Sequence, residues 1–489
     1  MVKSWPFHPI VQGQFEANSS LVEQDIARLE EWGMNVVRLG VMWQGVEPEK
    51  DKFNHTYLDV MRNLTIRLGN AGIYTIVDFH QDVLSRKFCG DGVPDYIVDE
   101  YLGPLQTDCS GVLGRFFRAI GICKSFAKDY KYPLDEEGYP QLSYCRSSHF
   151  TLYHTAPEVA SAFDAFLAST RVHQRVGLYF EKLAQTFADV PSVLGYDLFN
   201  EPFPGDVYRK PWLLRSNAKT YRNLNRLYDT LHMAIRKFDR EKIVFFEPFP
   251  FPGTFPVLGG LSQSSAFEHV PGGPVYSNRS AMSYHLYSCA TGKAVCSTPT
   301  GDPKEKLGKR LDKFVQKKIN MYMDDVDRIG GGSFLTEFGA CSSFSSCYDE
   351  LDRVTNFANQ HFQSWAYWQY KYFGDVTTQF GTFQGLYHDD GSIQMRKVAI
   401  LARPYARAIA GEPIRMHFDP KTRVFELTFT SHGGMTEIYV NRQITYPNGF
   451  DLRANASVSI LERRNVIEIS SRWKQTTIHL KLRPSLAEE

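Results

Sequence analysis

Val193-Leu194-Gly195-Tyr196-Asp197-Leu198-Phe199-Asn200-Glu201-Pro202 is a short β-rich run that ends abruptly in a polar pair and a proline. Six more runs of similar character follow the chain: Asn35–Leu39, Tyr74–Phe79, Ile243–Phe246, Ala281–His285, Ser333–Thr336 and Ser364–Trp368. Helical patterns separate them. Leu21–Trp32 sets Leu21, Ile26 and Leu29 toward a core, and Ala160–Ala188 and Tyr221–Phe238 are longer versions of the same spacing. Lys304–Arg328 carries charges around an apolar face and meets a strong stop at Gly330-Gly331-Gly332. Strands alternating with helices in this way predict a parallel α/β fold.

Seven such strands leave a closed (β/α)8 TIM barrel, which needs eight, one short. The absent strand belongs before the helix at Leu21, yet Val2 to Asn18 contains no clean strand pattern. The expected fold is therefore a (β/α)8 barrel whose first strand is missing or degenerate, with an open seven-stranded sheet as the alternative. Around Arg403-Pro404 the pattern changes to alternating runs at Val424–Thr430, Glu437–Val440, Val458–Leu461, Val466–Ile469 and Thr476–Leu482. Turns such as His432-Gly433-Gly434 and Pro447-Asn448-Gly449 separate several of them. We expect a catalytic barrel over residues 1–403 and an antiparallel β-sandwich over 404–489.

Composition narrows the function classes. With 55 Lys and Arg against 54 Asp and Glu, the chain lacks the basic excess of a general nucleic-acid binder. Aromatic residues reach 14%, which supplies either a large core or a cleft lined for sugars and apolar chains. No stretch reads as a membrane span: the uncharged segment before Phe267 is broken by Pro248, Pro250, Pro252 and Pro256. No G-x-S-x-G, H-E-x-x-H or Walker loop occurs.

Reading the C-terminal strand ends, where a parallel barrel gathers its chemistry, yields a consistent polar set. Arg38 closes the first strand, His80-Gln81-Asp82 follows the second, and Asn200-Glu201 follows the third. His285 and Tyr287 come at the fifth, Glu337 at the sixth and Trp368 at the seventh. Taken singly, a Glu before a proline is a turn residue, a His after a strand a core group, and Arg38 an ion-pair partner. Their joint occurrence at successive strand ends is not a core pattern. Glu201 and Glu337 form a carboxylate pair of the kind glycoside hydrolysis requires, one as acid and the other as nucleophile. Their surroundings must differ, the acid raised in pKa and the nucleophile lowered. Tyr287 is expected to hydrogen-bond Glu337, and Asn200 to hold a sugar 2-hydroxyl. Glu247-Pro248 repeats the strand-then-Glu-Pro pattern but lacks a preceding Asn, so it reads as structural or peripheral.

Asn200-Glu201-Pro202, Thr336-Glu337-Phe338-Gly339, Arg38, His80, His285, Tyr287 and Trp368 resemble the active-site positions of glycoside hydrolase family 5. Longer segments, from Trp32 to Trp43, from Asp78 to Asp82 and from Arg403 to Gly411, resemble its endoglycoceramidase branch. That resemblance implies a retaining enzyme cutting the β-glycosidic bond between an oligosaccharide and the ceramide of a glycosphingolipid. Glu201 would be the acid/base and Glu337 the nucleophile. His80 and Asp82 would hold the glucose unit, with Lys3 a further sugar contact. No metal or organic cofactor is implied. Alternatives are a glucosylceramidase, a steryl-β-glucosidase or an endo-glucanase of the same family, or a non-catalytic glycolipid-binding protein.

Five N-x-S/T acceptors, at Asn18, Asn54, Asn63, Asn278 and Asn455, and eight cysteines in loop-like sequence suggest an oxidising compartment. Cys89, Cys109, Cys123 and Cys145 share one long insertion, Arg86–Ser147, too long for a simple connection. We expect a secreted or lysosomal or endomembrane-luminal glycoprotein, although Met1 to Pro6 does not begin a signal peptide. The run Phe249–Leu258 is apolar enough to line an acyl groove, rest on lipid, or fold beneath the insertion. The chain is expected to act as a monomer, with no nucleic-acid partner.

Overall fold

The computed structural model describes residues 21–148, 150–250, 265–287, 304–339, 345–371, 376, 384–388, 390–461, 465–472 and 474–485. Lys3 and most of the apolar run after Phe249 lie outside the described residues.

Seven strands form one sheet in sequential order: β1 (Val36–Gly40), β2 (Tyr74–Asp78), β3 (Val193–Asp197), β4 (Ile243–Phe246), β5 (Ser280–Leu286), β6 (Gly332–Gly339) and β7 (Trp365–Trp368). Every pairing is parallel. β1 and β7 approach each other without hydrogen-bonded pairing, so among the described residues the barrel is nearly closed. An open sheet would hold its edges apart.

Local chemistry explains the helices. Glu23–Glu31 buries Ile26 and Leu29, and Asp25 turns back to accept the Val22 N–H at 3.0 Å. The sequence pattern predicts one helix over Ala160–Ala188. The structure instead divides it into Pro157–Ala168 and Thr170–Phe187. Ser169 takes an extended backbone there, and its hydroxyl accepts the Val172 N–H, starting the second helix. Asn217 caps Ala218–Arg236 in the same way. Gly330, at φ 83°, ends Lys304–Ile329 in the left-handed conformation that glycine tolerates best.

Beyond the barrel, two antiparallel four-stranded sheets face each other. They comprise β8 (Tyr405–Ala408), β9 (Gly411–Asp419), β10 (Val424–Ser431), β11 (Gly434–Tyr439), β12 (Phe450–Ala454), β13 (Ser457–Leu461), β14 (Val466–Ser471) and β15 (Thr476–Pro484). Strand order is β12-β15-β10-β9 in one sheet and β13-β14-β11-β8 in the other. Alternation along β10 sends Phe425, Leu427 and Phe429 inward against Ile438, Ile467, Ile469 and Leu480. The sandwich grips the barrel at the end of the first helix. Tyr439 and Tyr405 donate to the carbonyls of Glu31 (2.6 Å) and Gly33 (2.7 Å). A Cβ on Gly33 would meet the Tyr439 ring at 2.4 Å, so this close approach requires glycine.

The long insertion after β2 is stapled by Cys89–Cys145 and Cys109–Cys123, pairings the sequence leaves open. Phe249 is buried with its ring centroid 4.9 Å from that of Tyr221, so the start of the apolar run belongs to the core.

Candidate active site

Arg38 stands in the middle of β1 and organises everything above it. Its guanidinium donates to Asp197 Oδ2 (2.8 Å), Asp78 Oδ1 (2.9 Å), Asn200 Oδ1 (2.9 Å) and Glu337 Oε1 (2.6 Å). Register explains the convergence: Asp78 lies across from Gly40 on one side and Asp197 on the other, so both acids end their strands at the height of the barrel mouth. Burial alone would lower the Arg38 pKa, but Asp78, Asp197 and Glu337 together hold it well above the ordinary arginine value. Asp78 pays burial too, yet Arg38 and His80 keep it below the usual carboxylate value.

Glu337 emerges from β6 and is held on both oxygens. Arg38 occupies Oε1, and the Tyr287 hydroxyl donates to Oε2 at 2.7 Å. Tyr287 thus takes the partner expected of it. Burial still raises the Glu337 pKa, with His285 and Arg38 pulling against it. The lowered nucleophile value expected from sequence is not met, because desolvation of a nearly enclosed carboxyl outweighs its donors.

Glu201 follows β3 at φ 40°, a left-handed conformation that a side chain with a Cβ adopts at a cost of about 1–3 kcal/mol. Gln81 braces it, donating to the carbonyls of Asn200 (2.6 Å) and Glu201 (3.1 Å). His285 Nδ1 lies 2.7 Å from Glu201 Oε1 and 3.4 Å from Glu337 Oε2. One nitrogen within reach of both carboxyls fits the roughly 5 Å gap of retaining glycosidases better than the roughly 6.5–9.5 Å that admits a water. Burial first, then the nearby Asp82 charge, pushes Glu201 up to about 7. Burial pulls His285 down to about 4, so the ring is neutral near pH 7. Glu201 is the more open partner, its side chain 24% exposed against 7% for Glu337.

His80 bridges Asp78 (2.9 Å) and Asp82 (3.2 Å), and its ring stacks on Trp368 at 5.2 Å between centroids. Trp368 is anchored by its indole N–H to Gln384. Asn200 already gives its oxygen to Arg38 and one amide hydrogen to the Gln81 carbonyl at 2.9 Å. That leaves its second hydrogen for a sugar hydroxyl.

Apart from Lys3, the structure gathers Arg38, His80, Asp82, Asn200, Glu201, His285, Tyr287, Glu337 and Trp368 at one barrel mouth. Sequence reasoning missed Asp78 and Asp197, the two acids that neutralise Arg38. Their signal was an acid inside an otherwise apolar strand, which burial permits only with a partner. It also set Glu247 aside; the structure buries this residue against Glu201, whose N–H its Oε2 accepts at 2.8 Å. Glu201, Glu247 and His285 are also the one cluster of potential metal ligands found among the described residues.

A model of the family "Cellulase (glycosyl hydrolase family 5)" matches residues 11–112 and 152–374, and one of the family 5 C-terminal domain matches 403–482. The chain belongs to glycoside hydrolase family 5. Within that family it is similar to the endoglycoceramidase of Cyanea nozakii, with 32% identity covering 98% of this chain and 87% of the relative. The endoglycoceramidase of Hydra vulgaris is also 32% identical, covering 95% of this chain and 80% of its own length. In fold it is similar to endo-glycoceramidase II from Rhodococcus sp., solved as a ganglioside GM3 complex, with a TM-score of 0.71 and 21% identity covering 96% and 93% of the two chains.

Opposite protonation demands on the two carboxyls predict a bell-shaped pH dependence of kcat/KM, with its alkaline limb near the Glu201 value of about 7. Tyr287→Phe removes a donor that favours ionised Glu337. The acidic limb should then move to higher pH and narrow the bell, while the alkaline limb holds. A pH series of kcat/KM on a soluble aryl glycoside checks both.

Proposed function

We propose that the protein is a retaining endo-β-glycosidase that hydrolyses the bond between the oligosaccharide and the ceramide of glycosphingolipids. The observation that carries this reading is His285 Nδ1 touching Glu201 and Glu337 together, in a chain alike over nearly its whole length to two endoglycoceramidases. Glu337 attacks the anomeric carbon of the glucose unit while Glu201 gives its proton to the departing ceramide oxygen. The C–O bond to ceramide breaks, ceramide leaves as a neutral alcohol, and the sugar is held as an ester on Glu337. Water then enters on the Glu201 side, loses a proton to Glu201 and releases the sugar, restoring both carboxyls. Arg38 and Tyr287 stabilise Glu337 when it is free and charged; Trp368 and His80 offer a stacked platform for the ring. Lactosylceramide or a ganglioside tests the reading by its products. Release of the intact oligosaccharide with ceramide supports it. Stepwise release of glucose, cleavage only of steryl glucosides or cellulose, or binding without turnover refutes it.

The same reading places the cleft at a lipid surface. Helix Gly111–Ala119 and its cap expose Val112 (78%), Phe116 (53%) and Ile120 (48%), one face at fourfold spacing, while Phe117 and Gly114 turn inward. Cys109–Cys123 brackets this helix, and exposed Arg115 and Arg118 flank the stripe, a composition suited to a membrane interface. It packs on the loop that follows Glu201: the Phe117 and Tyr208 rings lie 6.3 Å apart, and Arg209 donates to Ser110 at 3.2 Å. Val112→Ser with Phe116→Ser should lower kcat/KM on lactosylceramide in vesicles about tenfold or more, for two lost apolar anchors. Turnover of a soluble aryl lactoside should be unchanged; an equal loss on both substrates counts against the surface role. Two disulfides, and exposed acceptors at Asn54, Asn63, Asn278 and Asn455, support a secreted or luminal glycoprotein. A mass drop on enzymatic deglycosylation of the protein from a secretory host tests that.

A further inference from the structure

β4 runs beside β3, with Asp197 paired to Phe245 and the Leu198 N–H donating to the Phe245 carbonyl at 3.0 Å. This register carries Glu247, the residue immediately after the strand end at Phe246, to the flank of Glu201. Three independent contacts fix it there. Its Oε2 accepts the Glu201 N–H at 2.8 Å, its Oε1 lies 3.5 Å from His285 Nδ1, and its own carbonyl accepts the buried Tyr228 hydroxyl at 2.7 Å. Polar atoms of Glu201, Glu247 and His285 all fall within 4.8 Å of one another. Glu247 is only 1% exposed, so it cannot reach solvent for an alternative partner.

We propose that Glu247 is a positioning residue for the acid/base: its carboxyl oxygen, by accepting the Glu201 N–H, pins the left-handed backbone of Glu201 and thereby aims the Glu201 proton at the glycosidic oxygen. Without an acceptor for its N–H, Glu201 would leave a donor unpaired in a closed site, and its backbone would relax toward the common φ range. Relaxation would swing the carboxyl off His285 Nδ1 and out of line with the leaving group. A charged neighbour would do the same job badly, because two adjacent carboxylates repel. Burial, reinforced by the Glu201 and Asp197 charges and opposed by Arg38, holds Glu247 well above the usual carboxylate range. That direction favours its uncharged form beside Glu201.

Leaving-group dependence separates positioning of the acid from general support of the fold. An alkyl glycoside needs the proton from Glu201, whereas a dinitrophenyl glycoside departs without it. Both are measured on one glycone that the wild-type protein turns over, so the outcome does not depend on ceramide being the natural aglycone. Glu247→Leu should lower kcat/KM for the alkyl glycoside at least about tenfold more than for the dinitrophenyl glycoside, the effect of an orphaned buried donor. Glu247→Gln, neutral and still an acceptor, should restore both substrates to within about threefold of wild type. If Glu247→Leu does not fold, Glu247→Asp, which withdraws the acceptor by one methylene, should give the same split. Equal losses on the two leaving groups, wild-type behaviour of the Leu and Asp variants, or a Gln variant as impaired as Leu would each overturn the proposal.

Discussion

Glu337→Ala is expected to abolish turnover, lowering kcat on the order of 10⁴- to 10⁶-fold on glycolipid and aryl glycoside alike, as loss of a covalent nucleophile does. The reason is geometric. Glu337 is the carboxyl held by Arg38 on one oxygen and Tyr287 on the other, and among the described residues no other acid shares both partners. Glu201→Ala should behave differently, sparing substrates with good leaving groups in the first step, because only poor leaving groups need its proton. Folding should survive in Glu337→Ala: the change removes a buried charge whose pKa burial already raises, and with it a desolvation cost. Circular dichroism and thermal unfolding check that, and substrate binding should persist. Added azide or formate is the further check. A small anion can occupy the vacated space and attack from the same side, giving a product of inverted configuration at the anomeric carbon. Appreciable turnover of Glu337→Ala without such an anion would mean that the nucleophile lies elsewhere.

The barrel was legible because each strand announces itself twice, by an apolar body and a polar end. Apolar β-rich runs located β1 to β7, and the polar groups following them supplied nearly every side chain now found at the mouth. What sequence could not convey was who touches whom. Arg38 reads as a lone cation until the register of β1, β2 and β3 brings Asp78 and Asp197 beside it. Glu247 was read as structural or peripheral on a local criterion, the missing Asn before it; its burial against Glu201 depends on the strand next door and rules out the peripheral reading. In the sandwich, β9 went unread because Pro413 and Gly411 weaken its strand pattern. Its place at a sheet edge, with a register shift opposite Thr428 and Phe429, tolerates both. The break at Ser169 was hidden for the opposite reason, since helical spacing continues through it on either side.

Arg38→Met should destabilise the folded protein by about 3–5 kcal/mol near neutral pH, the usual consequence of removing one partner from a buried ionic cluster. Three carboxyls, Asp78, Asp197 and Glu337, would then face one another in a closed space with the guanidinium gone and His80, Ser283, His285 and Tyr287 left beside them. The pH dependence carries the diagnostic sign. In the wild-type protein Asp78 lies below its ordinary value, so its ion pair contributes stability above about pH 4 and loses it as pH falls through the folded value. In the variant, burial is opposed by His80 but no longer by the guanidinium, and it lifts the same carboxyl above its unfolded value. Its ionisation then opposes folding increasingly as pH rises. Wild type and variant should accordingly be close in stability near pH 4 and diverge toward neutrality. Urea unfolding of both proteins at a series of pH values measures the gap directly. A difference that stays constant with pH would assign the loss to packing of the guanidinium stem, not to the charges it balances.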